Sequence, residues 1–147
     1  MANDLDRFVA AQADSYAHAI AELRQGAKRS HWMWWIFPQL AGLGLSATSR
    51  FYAIADGEEA RAYVAHPVLG ARLAEAAAAV VAAPGSAAQI MGDVDALKLR
   101  SSATLFAAVA DDPAPFRAVL DRFFDGEPDP ATLRLLASTP PSVRPSR

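Results

Sequence analysis

The chain has 147 residues, 52% of them hydrophobic and 20% charged, with a formal net charge of −2 at pH 7. That length fits one domain with an adequate core, the composition excludes general disorder, and the slight negative charge excludes bulk attraction to nucleic acid. There is no cysteine, which excludes disulfides, thiolate metal sites and a cysteine nucleophile.

The opening MANDLDRFVAAQ lacks a basic stretch followed by an apolar one, so no signal peptide is expected. The longest apolar run, AEAAAAVVAAP, is too short and alanine-rich to span a bilayer. The expectation is a soluble, cytoplasmic protein without membrane contact.

Leu5, Phe8, Val9, Gln12, Tyr16, Ala19, Ile20 and Leu23 recur at the spacing of one face of a helix. Asn3 or Asp4 can cap its start, and Gly26 sits where a left-handed C-terminal cap belongs. Gln12 interrupts the apolar stripe. A buried amide needs partners, so Gln12 either anchors a neighbouring loop or faces a pocket. The period is then lost through AKRSHWMWWIFPQLAGLGLSATSRFYA, residues 27–53. Pro38 discourages helix at Phe37, Gly42 and Gly44 make a flexible connection, and Ser30 and Ser46 can each open a short turn. Long irregular stretches in compact domains are functional or disordered, and this one is too aromatic for disorder.

Helices return with DGEEARAYVA, which has a capping Asp56. HPVLGARLAEAAAAVVAA follows, with Pro67 at the favoured first position and Leu69, Leu73, Ala76 and Val80 as its stripe. SAAQIMG is capped by Ser86. DVDALKLRSSATLFAAVA comes next, then DDPAPFRAVLDRFFDG with Asp112 as cap, Pro113 at the first turn and Gly126 as stop, and finally DPATLRLLAS. No strand-length alternation occurs. The expected fold is all-α, a single compact domain of about seven helices over residues 1–137 with one long aromatic-rich loop segment. A disordered proline-rich tail is expected over residues 138–147.

The loop segment carries the chemistry. KRSHWMWWIFPQL, residues 28–40, holds all three tryptophans beside Lys28, Arg29 and His31. Aromatic faces stack on planar bases and nearby cations contact phosphate, but large aromatics also dominate ordinary cores. On the helix from Asp95, Lys98, Ser102, Leu105, Phe106 and Val109 share one face while Arg100 points away. Lys98 either snorkels to the surface or joins Ser102 on the wall of a polar pocket. Among the three histidines no pair has metal-ligand spacing and HExxH is absent, so no metal is expected. His18 belongs to a polar face and His66, before Pro67, caps or ends a helix. Ser30 and His31 are adjacent, poor geometry for a nucleophile and its base. No phosphate-binding glycine loop occurs, and no cofactor is implied.

The segments GAKRSHWMWWIFPQLAGLG, YAIADGEEARAYVAHPVLGARL, LKLRSSATLFAAV and VLDRFFDGEPDPATLRLL together resemble the bacterial family called domain of unknown function 1810. Some of its members carry the misassigned name calpastatin. The likeness runs from about Leu5 to Leu136 and centres on the signature Lys-x-x-His-Trp-x-Trp-x-x-Phe-Pro-Gln. Trp35 departs from it, standing where Phe or Tyr is expected. The resemblance implies a mainly helical single domain and no established activity. More distantly, the layout is similar to the NADAR (NAD and ADP-ribose associated) proteins, helical domains linked to cleavage of N-glycosidic bonds in ribosylated compounds. Their best-known motifs are not matched here, and none of their catalytic residues carries over.

Two functions follow as expectations. In the first, a nucleotide-like or ADP-ribose-like small molecule binds in a cleft beside KRSHWMWWIFPQ. Lys28 and Arg29 meet phosphate, Trp32 or Trp35 stacks on the base, and Gln39, Lys98 and Ser102 read polar groups. If the protein is an N-glycoside hydrolase, His31 is the acid–base candidate, with Glu22 or Asp125 as the carboxylate approaching from elsewhere. In the second, the chain is a non-catalytic helical adaptor whose aromatic segment is core and whose acidic, alanine-rich helices meet a protein partner.

Overall fold

The computed structural model describes residues 5–44 and 46–138. Among these residues the chain forms nine helices and no strand: α1 (Asp6–Gln25), α2 (Met33–Ile36), α3 (Ala47–Tyr52), α4 (Gly57–Ala65), α5 (Leu69–Ala82), α6 (Ala87–Met91), α7 (Asp93–Val109), α8 (Ala114–Phe124) and α9 (Pro130–Ser138). The all-α expectation holds. The two helices beyond the expected seven, α2 and α3, are short turns inside the stretch read as loop. Ser46 opens α3 by accepting from the Ser49 amide, whereas no side chain caps α2. Phe37 leaves the helical region (φ −123°, ψ 74°) ahead of Pro38, as the proline ring requires.

Asn3 and Asp4, the expected caps of α1, lie outside the described residues, as does the expected tail from residue 139 onward. Ser138, assigned to that tail, is the last residue of α9. Gly26 ends α1 with φ 75° as expected, its N–H reaching the last-turn carbonyls. Two boundaries differ from expectation. Pro67 stays outside α5, because His66 Nδ1 accepts from the Val68 and Leu69 amides and sets the start there. Asp125, rather than Gly126, takes the left-handed cap of α8 at φ 55°.

The core is built around α7, which packs against α4, α6, α8 and α9, while α1 packs on α2 and α5. Being surrounded, α7 buries Ala96, Leu99 and every residue from Ser101 to Phe106, so the single face expected for it is too narrow. Its Val109 is half-buried, and Arg100 donates to the Glu127 and Pro128 carbonyls, pinning the approach to α9. The axes of α4 and α5 meet at 88°. Only glycine fits at position 70, where a Cβ would stand 2.0 Å from the Val64 carbonyl oxygen. Among the described residues no single helix is long and apolar enough to cross a membrane.

Gln12 resolves as an anchor. Its Nε2 donates to the Trp35 carbonyl (2.7 Å) and the Tyr63 hydroxyl (3.1 Å), and its Oε1 accepts from Arg72 (3.3 Å). Burial pushes the Tyr63 hydroxyl well above its ordinary pKa, so it stays neutral in this network. The aromatic segment is thereby tied to α1, α4 and α5. A single bridge closes its far end, Ile54 N donating to Gln39 O and Ala41 N to Ile54 O, both at 2.8 Å.

Candidate functional site

The segment 28–40 leaves α1 just past Gly26 and is gripped at once by Glu22, in the last turn of that helix. Glu22 Oε1 accepts from the Arg29 amide (2.7 Å), the Ser30 amide (3.0 Å) and the Trp32 indole N–H (2.9 Å), and Oε2 accepts from the Ser30 hydroxyl (2.6 Å). Burial alone would raise this carboxyl. The hydrogen bonds from Ser30, Arg29 and Trp32 outweigh it and hold the group at about 2. Trp32 is 1% exposed, packed 6.3 Å from Phe37. It is core.

A second carboxylate grips the same segment from the other side. Asp95, in the first turn of α7, takes the Lys28 ammonium on Oδ2 (2.9 Å) and the Lys98 ammonium on Oδ1 (3.1 Å). Lys28 also donates to the Ser30 carbonyl (2.6 Å) and lies 4.9 Å from the Trp32 ring centre, while Lys98 lies 4.2 Å from that of Trp34. Each ammonium thus meets a carboxylate oxygen and a π face. Burial would raise Asp95, but the two lysines hold it below the ordinary carboxylate range. Two cations on one anion leave this corner with a formal charge of +1.

Trp34 borders open space. It is half-buried and walls a cavity of about 120 Å³ with Gln39, Leu43, Ser49, Arg50 and Tyr52. Gly44 closes one side: a Cβ there would stand 2.7 Å from both Cβ and Oγ of Ser49, so glycine lets the loop lie directly on α3. Gln39 is 8% exposed, and its Nε2 is buried without a hydrogen-bond partner. Such an orphan is rare, because an unmade bond costs about 1–3 kcal/mol. A wider groove of about 470 Å³ includes Thr104, Arg117 and Leu133. Its buried polar atom, Thr104 Oγ1, is already satisfied by the Arg100 carbonyl and the Asp129 amide.

The expected site residues therefore separate. Lys28 and Lys98 meet at Asp95, and Gln39 lines the cavity. Trp32 is buried on Glu22, so its face is not open as a platform. Trp35 donates to Ser15 Oγ (2.7 Å) and packs 5.0 Å from Tyr52. Arg29 is exposed and donates to Gln25 (2.8 Å). His31 is exposed, with no hydrogen bond or ion pair among the described residues. Ser102 is buried with its hydroxyl unpartnered, apart from the residues that line the cavity. Asp95 and Arg50 went unread as site residues, and Trp34 was read only as one of three tryptophans open to a core or a platform role. Asp95 left a signal, standing one helical turn before Lys98; the other two are marked only by their place in the fold. Among the described residues no group of acidic or histidine side chains could hold a metal.

This arrangement sits in a chain whose residues 2–136 match the family described as "Protein of unknown function (DUF1810)". The chain belongs to that family. The crystal structure of the conserved hypothetical protein Rv1873 from Mycobacterium tuberculosis is similar to it, with 48% sequence identity, a TM-score of 0.90, and coverage of 92% of this chain and 98% of that one. No curated protein matches the chain.

Proposed function

We propose that the protein binds a nucleotide-like small molecule, seating one base-sized ring in the cavity beside Trp34. The observation that carries this reading is the buried, unpartnered amide of Gln39 in the cavity wall. The nitrogen itself has almost no accessible surface, so the Gln39 side chain must turn toward the cavity for a ligand atom to accept from it and supply the missing bond. Nucleobase edges are dense in such acceptors, and their flat faces suit a wall containing Trp34 and Tyr52. The cavity is well under the roughly 300–1,000 Å³ of drug-sized pockets, so it takes a ring rather than a whole nucleotide.

The lysines expected to meet phosphate act on the protein itself: Lys28 holds the segment to Asp95, and Lys98 holds the Trp34 ring. His31 is not among the residues lining the cavity, nor is any carboxylate among those described. The geometry therefore supports binding over cleavage of an N-glycosidic bond. The adaptor reading draws on a different observation, Val94 and Leu97 lying 66% and 64% exposed one turn apart on α7.

Thermal shift and calorimetry with the four common nucleosides test the proposal. A ligand at 100 times its Kd adds about 2.7 kcal/mol of stability. Nucleoside binding that Gln39→Leu removes without loss of the fold is the expected result. No stabilisation by any nucleoside, or equal binding by Gln39→Leu, would overturn it.

A further inference from the structure

Cations near the aromatic segment divide into those already committed and one that is not. Lys28 and Lys98 share Asp95, and Arg29 is held by Gln25. Arg50 is the one charged residue among those described in the cavity wall. Its guanidinium is on an exposed residue and makes no hydrogen bond, ion pair or ring contact among the described residues.

The backbone beneath Arg50 is nonetheless firmly held. Ser46 caps α3 through the Ser49 amide (3.0 Å), and Ser49 Oγ donates back to the Ser46 carbonyl (2.8 Å). At the other end of α3, Arg7 donates to the Phe51 carbonyl (2.8 Å) and, just beyond the helix, to that of Ala53 (2.9 Å), while its guanidinium pairs with Glu59 at 3.3 Å. The Arg7 and Glu59 side chains are only 9% and 8% exposed, so this strut is buried. A short helix held at both ends thus places Arg50, a cation without a partner among the described residues, in the wall of a cavity that also holds an unpartnered amide. An arginine fork matches the paired oxygens of a carboxylate or phosphate.

Resting on the reading of the cavity as a base-sized pocket, we infer that its ligand is anionic, with a phosphate or carboxylate paired to Arg50 at the rim while the ring faces Gln39. Arg50 is then the residue that separates charged from neutral forms of one ring. Lys28 and Arg29 take no part in that choice.

The test uses the full chain and three probes with one ring: adenosine, adenosine 5′-monophosphate and adenosine 5′-carboxylate, with the uridine series alongside. The expected result is that an anionic probe binds about tenfold more tightly than its nucleoside, the gain of a charge-assisted pair reduced by its partial exposure. Arg50→Gln should abolish that gain, so that the variant binds the anionic probes no more tightly than their nucleoside, and Arg50→Lys should keep part of it. Raising salt to 0.5 M should shrink the gain in the wild-type protein, since screening acts on exposed charge. A gain with phosphate but not carboxylate, or the reverse, assigns the anion. Gln39-dependent nucleoside binding with no gain from either anion, or a gain that survives Arg50→Gln, would overturn this inference and leave the pocket reading intact. No binding of any probe removes both.

Discussion

Two tryptophans two positions apart, Trp32 and Trp34, show how one segment divides between scaffold and candidate site. Each has a lysine near its ring, and both lysines hold the same aspartate. Trp32 is closed on every side, its indole N–H spent on Glu22. Trp34 stands beside a small cavity whose wall contains an unsatisfied amide. What distinguishes them is the neighbour beyond the ring. The last turn of α1 supplies Trp32 with a carboxylate, whereas Trp34 has Gly44 beside its ring, a residue with no side chain to close the space. Bulk and aromaticity do not mark a binding surface; incomplete surroundings do.

The sharpest way to break this contrast is to truncate both rings. Trp32→Ala should cost about 3–5 kcal/mol in chemical unfolding, the range for emptying a large core site. If it costs less than about 1 kcal/mol, Trp32 is not the plug described here. Glu22→Gln comes next, at about 1–3 kcal/mol, because an amide replaces one of two acceptor oxygens that hold four donors. Its pH signature is specific. The folded-state carboxyl lies at about 2, below its ordinary 4.5, so Glu22 contributes stability that is complete above the ordinary value and lost as pH falls toward 2. The difference in stability between wild type and Glu22→Gln should shrink across that window; a difference that stays constant there would contradict the anchoring role.

Smaller effects fall on the open side. Trp34→Ala should cost about 1–2 kcal/mol, a half-buried ring plus its cation contact, while nucleoside affinity drops more than tenfold in calorimetry. Equal losses for Trp32→Ala and Trp34→Ala would erase the distinction between the two rings. Gln39→Leu should leave stability within about 0.5 kcal/mol of wild type or raise it, because removing an unpartnered buried amide sacrifices no bond. A loss above about 2 kcal/mol in a denaturant titration would show that the amide is satisfied in solution.

Much of the fold was legible because helix periodicity and caps are local. The α5 stripe of Leu69, Leu73, Ala76 and Val80 is buried, Ser86 heads α6 with a full capping box, and Gly26 closes α1 as its position predicts. The reach of Gln12 into the loop was half legible: an amide inside an apolar stripe demanded partners, but not which ones. The family was readable from the KRSHWMWWIFPQL signature. The site was the least legible part, because its members are chosen by contacts across the chain. Nothing local to Trp32 reveals that Glu22, ten residues earlier, folds back onto its indole. Nothing local to Arg50 reveals that it, among several arginines, reaches the cavity wall unpaired. Arg29 drew attention as a cation beside tryptophans, and its chemistry was taken by a glutamine on α1 instead.

The carboxylate of Asp95 has a consequence for how the two halves of the segment communicate. Since Lys28 and Lys98 draw on opposite oxygens of one group, their contributions cannot be independent. Removing either lysine leaves the full anionic charge to the other and relieves the repulsion between them, so the double replacement should cost more than the sum of the singles. The same linkage runs in both directions. A change at Trp34 that draws Lys98 away from Asp95 therefore tightens the hold on Lys28, and so on the wall around Trp32.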